Sequence, residues 1–482
     1  MTTRILVSVD RFETRVAITE GDRVSECHIE RRGRQSVVGH VWKGRVENVL
    51  AGMEAAFVDV GIDKAGFLHV DEIVAMGVPK SKRMIANLLK KGDEIFVQAI
   101  KDPMGTKGCR LTMQLSLAGR FLVYVPYGEG IGVSKRLDDE ERDRLRKICK
   151  SLTIEEGGLI VRTQAAGVSA RELQRDLIAL QRLWEALQAR GKQVKGPSLL
   201  YSEADRSLKV IRDLFGDHID EVLIDDEVQY QRILDFLRRT SPDLAERIRY
   251  YNEQPPLMER YGVDKALRST LERRADLKSG GYLIIDDTEA MTVIDVNSGR
   301  HVGRGKTTLE ETITQTNLEA AEEVVRQLRL RDIGGMIIID FIDMNDQRNR
   351  KAVREALEAA LQRDRAKAYV VDISPLGLVE MTRQNISDGP REVMTVECPT
   401  CAGVGVVPSE ETHAVRADRE IRRQLATRAE KAFAIGLHPA IAEFVSGDDD
   451  AGVADIETET GKRIRIEPDP LLGVHDVRIS PI

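Results

Sequence analysis

The chain has 482 residues, of which 42% are hydrophobic, 31% charged and 4% aromatic, and its formal net charge is -7. This length predicts about three or more domains, and no apolar run approaches the roughly 20 residues that cross a bilayer. The start of the chain lacks the long apolar core of a signal peptide, so we expect a cytoplasmic protein with no membrane partner. Five cysteines in so long a chain do not indicate a disulfide framework. The negative charge argues against indiscriminate nucleic-acid binding, but a local basic patch can still bind RNA.

The N-terminal part of the chain is predicted to consist of strands. Apolar and polar residues alternate over residues 2–30, which we interpret as strands with a hairpin turn at Glu20–Asp22. Asp10 follows the first strand, and turn chemistry explains it more simply than catalysis does. Between Ser36 and Leu117, short strands recur with Gly-rich turns. This pattern favours a small Greek-key barrel of the OB type, which binds single-stranded nucleic acids.

Two aromatic residues of the predicted barrel are candidates for RNA binding. Phe57 and Phe67 lie in successive strands, and several basic residues lie in the same region of the sequence: Lys43, Arg45, Lys101, Lys107 and Arg110. Aromatic side chains with basic neighbours stack bases and hold phosphates on such barrels. Phenylalanine in a strand is also a common core residue, so packing inside the barrel stays an alternative for each of the two.

Residues 118–208 contain a further group of strands and helices. A buried strand ends at Arg162 and Thr163 and leads into a long amphipathic helix. A guanidinium group beside a hydroxyl suits a terminal phosphate, although so short a motif also fits a structural role. We interpret residues 191–201, which contain Gly and Pro, as a linker.

The segment after the linker has a second pair of acidic residues at a strand end. We predict a helix at Leu208–Phe215, a strand that ends at Asp225 and Asp226, and a helix at Tyr230–Leu237. The two aspartates are interpreted as a turn, because no partner strand is evident for them.

The most informative stretch is a predicted strand–helix–strand unit. Met291–Val296 and Met336–Ile339 are apolar runs that are too short for helices. Between them, apolar residues recur every three to four positions, as in an amphipathic helix. Thr307 or Thr308 is the expected N-cap, and Gly334–Gly335 is the expected stop signal. Strand, helix and strand in this order predict two parallel strands.

Each of these strands is expected to bring a carboxylate to the same edge of the sheet. Asp295 and Asp340 lie at the two strand ends, and neighbouring strands are about 4.8 Å apart. Two like charges that close require a raised pKa or a cation, and oxygen ligands favour Mg²⁺ or Mn²⁺ over zinc. Asn297 and Asp343 are close enough in sequence to orient or extend the ligand set. For either aspartate alone, ordinary turn chemistry is the simpler reading.

The same segment allows a competing hypothesis, a nucleotide-binding loop. The phosphate-binding pattern requires Gly, four residues, Gly, Lys and Ser or Thr. Five residues instead of four separate Gly299 from Gly305, which precedes Lys306 and Thr307. We therefore rank a P-loop-like nucleotide hydrolase, together with a non-catalytic RNA-binding protein, as alternatives to a metal-dependent enzyme.

A Cys-x-x-Cys motif near the C-terminus predicts a zinc site. Cys398 and Cys401 supply two of the four ligands that a structural zinc ion takes. Two chains that each contribute one pair would complete the site, so we expect a zinc-linked homodimer. A redox pair or free thiols are the alternatives. Beyond the motif we predict a charged helix at Glu410–Phe433, and a small domain with strands around Ala454–Ile466 and Val474–Ile479.

Taken together, these segments resemble the ribonuclease E/G family over essentially the whole chain. The barrel segment by itself resembles the OB module of ribosomal-protein type that occurs in many RNA enzymes. The family resemblance rests on long motifs: EAAFVDVG, GFL, SLAGR, LIVRT, VIDVNSG, TNLEAAEEVVRQLRLRDIGGMIIIDFIDM, RDRAK, ISPLGLVEMTRQ and CPTCAG.

The resemblance implies an α/β multidomain fold. Its expected parts are an RNase H-like subdomain at 1–35 plus 209–278, an OB-fold barrel at 36–118, a 5′-phosphate sensor domain at 119–208, a deoxyribonuclease-like α/β catalytic subdomain at 279–395, a zinc link at 396–407 and a small C-terminal α/β domain at 408–482. The chain ends soon after the zinc motif, so it resembles the compact ribonuclease G-like form of the family.

The resemblance also implies a catalytic site and a function. Asp295 and Asp340 are expected to bind Mg²⁺, with Asn297 in support, and Cys398 with Cys401 is expected to form the shared zinc link. The implied enzyme is a single-strand-specific endoribonuclease of RNA processing and decay that leaves 5′-phosphate and 3′-hydroxyl ends. A homodimer is expected, and a homotetramer stays open.

The remaining residues implied by the resemblance bind RNA. Phe57, Phe67 and Lys107 are expected to hold the single strand, and Lys101 is a further basic candidate on the barrel. Arg162 and Thr163 are expected to sense a 5′-monophosphate. Where the family can have arginine at the end of the RDRAR run, this chain has Lys367. The ammonium group of lysine is a point charge, whereas the planar guanidinium group of arginine can donate two parallel hydrogen bonds. Discrimination between 5′ ends is therefore expected to be weaker.

Overall fold

The mixed α/β architecture expected from the sequence is present in a computed structural model. The structure describes residues 2–33, 35–75, 77–79, 83–103, 107–154, 156–300, 309–374, 377–384 and 389–482. It divides into two compact units, Met1–Met394 and Thr395–Ile482. Within the described ranges, no helix has the length and apolar character that a bilayer crossing requires.

The chain begins with an antiparallel meander of strands β1 (Thr3–Val9), β2 (Glu13–Glu20) and β3 (Arg23–Arg31). The hairpin between the second and third strands turns at Gly21, whose φ of 63° is the left-handed conformation that favours glycine. The apolar residues of β1 are buried on both faces of the sheet, as Ile5, Leu6 and Val7 show.

A closed five-stranded barrel follows. Its elements are β4 (Val41–Leu50), β5 (Ala55–Asp59), β6 (Gly66–His69), α1 (Ile85–Leu88), β7 (Glu94–Lys101) and β8 (Arg110–Thr112). Strand β4 pairs with both β5 and β7, and β8 joins β6 to β7, which closes the barrel. Every second residue points inward, among them Val46, Val58 and Leu68. The predicted small barrel is therefore confirmed.

The middle region packs a long helix on a four-stranded sheet. Its elements are β9 (Leu117–Ala118), β10 (Leu122–Val125), β11 (Ile131–Val133), α2 (Asp139–Ser151), β12 (Gly158–Val161) and α3 (Ala170–Gln193), with the strand order β11-β12-β10-β9. Helix α3 begins at a capping box of Ser169 and Glu172. Its apolar stripe, which includes Leu173, Leu177 and Trp184, is buried against the sheet.

The interpretation of residues 191–201 as a linker is wrong in part. Helix α3 extends to Gln193, and Ser198–Tyr201 forms strand β13, which pairs antiparallel with β4 of the barrel. The strand is stabilised by backbone pairing with residues more than 150 positions earlier. The local Gly and Pro content gave no sign of this pairing.

The chain then returns to the first sheet. It forms α4 (Arg206–Leu214), β14 (Glu221–Ile224), α5 (Glu227–Thr240), α6 (Pro242–Ala245), β15 (Ile248–Tyr250), α7 (Leu257–Arg260) and α8 (Val263–Thr270). Strand β14 lies parallel to β1, so the sheet has the order β15-β14-β1-β2-β3. Asp226 caps helix α5, whereas Asp225 accepts a hydrogen bond from the backbone N–H of Val9 at 3.0 Å.

The last sheet of the first unit contains the predicted strand–helix–strand unit. Its elements are β16 (Arg274–Asp276), β17 (Tyr282–Asp287), β18 (Met291–Asn297), α9 (Leu309–Arg331), β19 (Gly335–Asp340), α10 (Gln347–Leu361), β20 (Ala368–Ile373), β21 (Leu378–Arg383) and α11 (Pro390–Met394). We call β16–β21 the carboxylate sheet; its order is β16-β17-β18-β19-β21-β20, and β18 and β19 are parallel. Apolar side chains of α9 and α10 pack on the sheet. The expected N-cap, Thr307 or Thr308, lies outside the described residues.

The second unit is a small α/β structure. It contains α12 (Glu410–Thr427), β22 (Ala432–Leu437), α13 (Pro439–Ser446), α14 (Ala451–Thr460), β23 (Arg463–Pro468) and β24 (Arg478–Pro481), with the strand order β23-β22-β24. Two predictions are corrected here. The charged helix ends at Thr427 rather than Phe433, which is a buried residue of β22. The strand expected around Ala454–Ile466 begins only at Arg463, because Val453 and Ile456 lie on one face of a helix that ends at Gly461.

A buried ionic network joins the first sheet to helix α9. Glu26 of β3 accepts hydrogen bonds from Arg329 of α9 at 3.0 Å and from Arg365, which lies just before β20. Burial disfavours the charged form of this carboxyl, yet the hydrogen bond with His28 and the charges of Arg365 and Arg329 hold its pKa well below the usual range. The network therefore stabilises the packing of the carboxylate sheet against the first sheet.

We predict that Glu26→Gln lowers the free energy of unfolding by about 3 kcal/mol, because it removes the buried carboxylate charge that pairs with Arg329 and Arg365. Because the folded-state pKa is lowered, this stabilisation is present above the ordinary glutamate pKa of 4.5. The difference between variant and wild type should therefore shrink as the pH falls below that value. Urea unfolding followed by fluorescence measures both effects.

The matched control is Asp276→Asn, which removes an exposed partner of Arg274. It should cost less than about 1 kcal/mol. Equal losses in the two variants would contradict the assignment of the Glu26 network.

Candidate functional site

Two carboxylates face each other across the parallel strands of the carboxylate sheet. Asp295 of β18 and Asp340 of β19 are direct partners in the strand register. The residues that flank them, Ile294, Val296 and Ile339, are buried under the helices. The two aspartates therefore point to the opposite, exposed face of the sheet.

The electrostatics of this pair reflect the close approach of like charges. Burial, and then the negative charges of Asp295 and Asp343, raise the pKa of Asp340. The side-chain amide of Asn297 donates a hydrogen bond to Asp295 Oδ2 at 2.8 Å. The same edge of the sheet thus carries three carboxylates and one amide, which are oxygen donors of the type that hard cations prefer.

The loop after β19 is held in place by residues of helix α9. Asn317, which is completely buried, donates to the carbonyl of Ile342 at 2.7 Å and accepts from its N–H at 3.1 Å. Glu310 accepts from the N–H of Asp346 at 3.1 Å. These bonds fix the backbone on both sides of Asp343.

Gly377 lets a neighbouring turn approach this loop. It has a φ of 82°, and a Cβ atom at this position would lie 3.2 Å from Asp343 Oδ1. A larger residue would be strained in this conformation and would crowd the carboxylate. Glycine at this position therefore keeps the acidic edge of the sheet open.

The donor set fits magnesium or manganese better than zinc, because it consists of carboxylate and amide oxygens. In the part of the chain that the structure describes, no group of three or more His, Cys, Asp or Glu side chains is arranged to hold a metal ion. The candidate ligands are therefore the pair Asp295 and Asp340, and their role stays a prediction.

The barrel carries an aromatic and basic row on its outer surface. Phe57 pairs with Phe67 in the strand register, and their ring centroids are 6.0 Å apart in an edge-on arrangement. Phe67 pairs in turn with Arg110, and Arg110 pairs with Lys101. The two phenylalanines are half-buried and lie outside the barrel core. The arrangement offers stacking surfaces beside positive charges.

Of the other basic candidates of the barrel, Lys43 and Arg45 have hydrogen-bond partners, whereas Lys107 is exposed. Lys43 forms an ion pair with Glu94 at 2.7 Å and donates to the carbonyl of Val194 at 2.9 Å, and Arg45 donates to the carbonyl of Gly196 at 2.6 Å. Both therefore stabilise the contact between the barrel and the segment after α3. Lys107 is exposed, shortly before strand β8.

Arg162 and Thr163 lie at the end of strand β12, and both already have partners. Arg162 donates to Asp213 Oδ1 at 2.6 Å and to the carbonyl of Gly119 at 2.7 Å. Although burial opposes its ionisation, the charges of Arg212 and Arg162 keep the pKa of Asp213 below its usual value. The Thr163 hydroxyl lies 2.9 Å from Ser134 Oγ. The Arg162 guanidinium is therefore held in one orientation.

Lys367 belongs to a short segment that contacts this region. Residues 364–367, which we call the connecting segment, precede strand β20. Arg136, two residues after Ser134, donates to the backbone carbonyls of Asp364 and Arg365. The Lys367 side chain is exposed.

The Cys-x-x-Cys motif of the second unit is accessible to a metal ion. Cys398 is exposed and Cys401 partly so, and both thiols are free. Hydrogen bonds from the backbone of Cys401 and Thr400 lower the pKa of the Cys398 thiol. The Gly405 N–H donates to Cys401 Sγ at 3.4 Å. Backbone donors that favour thiolates are suited to zinc binding and to redox chemistry alike.

Gly305, Lys306 and Thr307 of the alternative nucleotide-binding loop lie outside the described residues. Gly299 has a positive φ of 54° and adjoins the end of β18.

Comparison with known proteins adds independent information on this chain. A model of the ribonuclease E/G family matches residues 116–386, and a model of the RNase E/G thioredoxin-like domain matches residues 397–482. Ribonuclease G of Salmonella typhimurium is 41% identical over 480 residues, which cover 98% of each chain. The chain belongs to the ribonuclease E/G family. Ribonuclease G of Haemophilus influenzae is 38% identical over 96% of each chain, and ribonuclease E of that organism is 35% identical over 96% of this chain and 50% of its own length.

Membership of the ribonuclease E/G family confirms the resemblance carried by the sequence motifs. It also confirms the expected enzyme class, an endoribonuclease. The C-terminal region that was expected to be a small α/β domain corresponds to the thioredoxin-like domain of this family.

Several residues that shape the sites of this ribonuclease E/G family member were not singled out from the sequence. They are Asn317, Gly377, Ser134 and Arg136. Asn317 could have been found, because a polar residue on the buried stripe of an amphipathic helix needs a specific partner. The other three act through segments that are distant in sequence, so local patterns do not reveal them.

Proposed function

We propose that this protein is a Mg²⁺-dependent, single-strand-specific endoribonuclease of RNA processing and decay. The observation that carries the proposal is the register of Asp295 with Asp340 on the exposed face of the carboxylate sheet. The family of the chain supports a ribonuclease, and this acidic pair is the best-supported place for its chemistry.

In this proposal Asp295 and Asp340 hold the metal ion, and Asn297 orients Asp295 through its hydrogen bond. A bound Mg²⁺ would supply Lewis-acid stabilisation of the phosphate charge and would lower the pKa of water. Burial and the charges of Asp295 and Asp343 raise the pKa of Asp340, and a bound divalent cation would favour its charged form.

The proposed reaction is hydrolysis by water. The water oxygen forms a bond to phosphorus and gives up a proton, the bond from phosphorus to the 3′-oxygen breaks, and the 3′-oxygen takes up a proton. The products are a 5′-phosphate and a 3′-hydroxyl, and no attack by the 2′-hydroxyl is required.

The preference for single strands is supported by the outer row of the barrel. Phe57 and Phe67 offer stacking surfaces, with Lys101 and Lys107 as the phosphate contacts on the same barrel. Stacking of one base on an aromatic side chain contributes about 1–3 kcal/mol and requires an unpaired base. This row therefore selects against duplex RNA.

Stimulation by a 5′-monophosphate is proposed for the region of Arg162 and Thr163. The salt bridge of Arg162 with Asp213 orients the guanidinium. Lys367, in the connecting segment, adds a point charge. The bulk and charge of a triphosphate would overfill such a site.

We also propose identities for the first sheet and for the carboxylate sheet. Three antiparallel strands followed by two parallel ones support an RNase H-like first sheet, into which the OB-type barrel and the sensor domain are inserted. We further propose that the carboxylate sheet is the deoxyribonuclease-like catalytic subdomain.

We also propose a zinc-linked homodimer in the cytoplasm. The exposed pair Cys398 and Cys401 supports an intersubunit site, because one chain supplies half of a tetrahedral ligand set. The neighbouring residues Val396 and Val406 are 88% and 73% exposed, as expected of a segment that a partner covers. The five free cysteines are typical of a reducing compartment.

Asp295→Asn and Asp340→Asn should each lower the cleavage of a fluorescent single-stranded RNA at least about a hundredfold, because several kcal/mol of metal stabilisation are lost. RNA binding should stay nearly intact, and EDTA should abolish wild-type cleavage. Gel-based cleavage and fluorescence anisotropy measure the two activities.

The control for this pair is Asp286→Asn, which removes a carboxylate of the adjacent strand that pairs with Arg273. Wild-type turnover in either catalytic variant would refute the metal assignment. If the wild-type protein binds RNA in the presence of EDTA but does not cleave it under any condition, a non-catalytic RNA-binding protein would be favoured.

Cys398→Ser should shift the solution mass of the protein to half-size particles and release the bound zinc, because the shared site loses a ligand from each chain. Light scattering and zinc analysis measure the two effects. Thr400→Ser, which keeps both thiols, should leave the mass unchanged. A Cys398→Ser protein of wild-type mass would refute the intersubunit zinc.

A further inference from the structure

The turn after strand β11 is fixed next to Thr163. The Ser134 N–H donates to the carbonyl of Val161 at 3.0 Å, and its hydroxyl lies 2.9 Å from Thr163 Oγ1. Leu137, at the end of the turn, is buried in the core of the middle region. The backbone of Arg136 is therefore held in a defined position beside the proposed phosphate site.

Arg136 reaches from this turn to the connecting segment. Its Nη2 atom donates to the carbonyl of Asp364 at 3.2 Å and to the carbonyl of Arg365. The two carbonyls lie 228 and 229 positions later in the chain. One guanidinium thus links the middle region to residues beside the carboxylate sheet through charge-assisted hydrogen bonds.

The connecting segment is held on its other side by the carboxylate sheet itself. Arg383, at the end of β21, donates to Asp364 Oδ2 at 2.7 Å and to Asp364 Oδ1 at 3.2 Å, and both side chains are buried. Burial opposes the charge of Arg383, but the hydrogen bond and the charge of Asp364 raise its pKa. Strand β21 pairs with β19, and Leu378 of β21 is the register partner of Asp340 of β19.

A second anchor joins the connecting segment to the first sheet. Arg365 donates to Glu26 and lies 3.0 Å from His28 Nε2. The connecting segment is therefore anchored to the carboxylate sheet and to the first sheet, and the turn of Ser134 is anchored to the middle region. The bonds of Arg136 span the boundary between these two parts.

From this geometry we propose that Arg136 is a positioning residue for 5′-end sensing. It holds the connecting segment, and with it Lys367, against the site formed by Arg162 and Thr163. The inference rests on the 5′-monophosphate stimulation proposed above. Arg136 acts through the backbone of the connecting segment rather than by contact with the phosphate.

The substitution that tests this role is Arg136→Ala, which removes both bonds to the connecting segment. The test compares initial cleavage rates of one RNA sequence that carries either a 5′-monophosphate or a 5′-hydroxyl. The ratio of the two rates serves as an internal control for any loss of folding or of catalysis, because both substrates use the same cleavage site.

The wild-type enzyme should give a ratio well above one. In Arg136→Ala the ratio should fall about fivefold or more, which is the lower end of usual couplings between sites. Arg136→Lys should give an intermediate ratio, because an ammonium group can replace one of the two hydrogen bonds to the connecting segment but cannot reproduce the planar geometry of the guanidinium group. Arg146→Ala, which removes an exposed cation of helix α2 in the same region, should keep the wild-type ratio.

A double variant shows whether Arg136 acts through the connecting segment. If it does, Arg136→Ala combined with Lys367→Ala should lower the ratio no further than the larger single effect. If the double variant lowers the ratio by the product of the two single effects, Arg136 does not act through the connecting segment and the inference is wrong. The inference is also wrong if Arg136→Ala leaves the ratio unchanged while the wild type still prefers the 5′-monophosphate substrate. Neither outcome would contradict the proposed 5′-end sensing. A wild-type ratio of one would overturn the proposed 5′-end sensing and this inference with it.

Discussion

The repulsion between Asp295 and Asp340 is the constraint on which the account depends. A parallel register places these carboxylates side by side on the exposed face of a sheet, and burial together with the negative charges of Asp295 and Asp343 raises the pKa of Asp340. A divalent cation removes the repulsion, whereas a purely structural role leaves the close approach of two like charges unexplained. Helix α9, which connects the strands, also provides Asn317 to fix the adjacent loop.

The surrounding parts of the first unit are joined by buried ionic contacts. Glu26 links the first sheet to Arg329 and Arg365, and Asp364 links the connecting segment to Arg383. Such contacts are costly to desolvate and are stable only when both partners are in place. They therefore help to fix the position of the carboxylate sheet relative to the first sheet.

The sequence predicted the elements whose pattern is local. The two short apolar runs and the helix between them were enough to place Asp295 beside Asp340, because period and order determine a parallel pair. Strand β13 and helix α14 were misread: the first depends on pairing with the distant β4, and the second has a weak apolar stripe. The contacts of Arg136 and Glu26 span more than 200 residues, so no local pattern contains them.

The most direct test of the central claim is a crystal soaked in Mn²⁺ and measured at the manganese absorption edge. We predict an anomalous peak between the carboxylates of Asp295 and Asp340. A peak only at another position, in crystals of a protein that cleaves RNA in the presence of Mn²⁺, would contradict it.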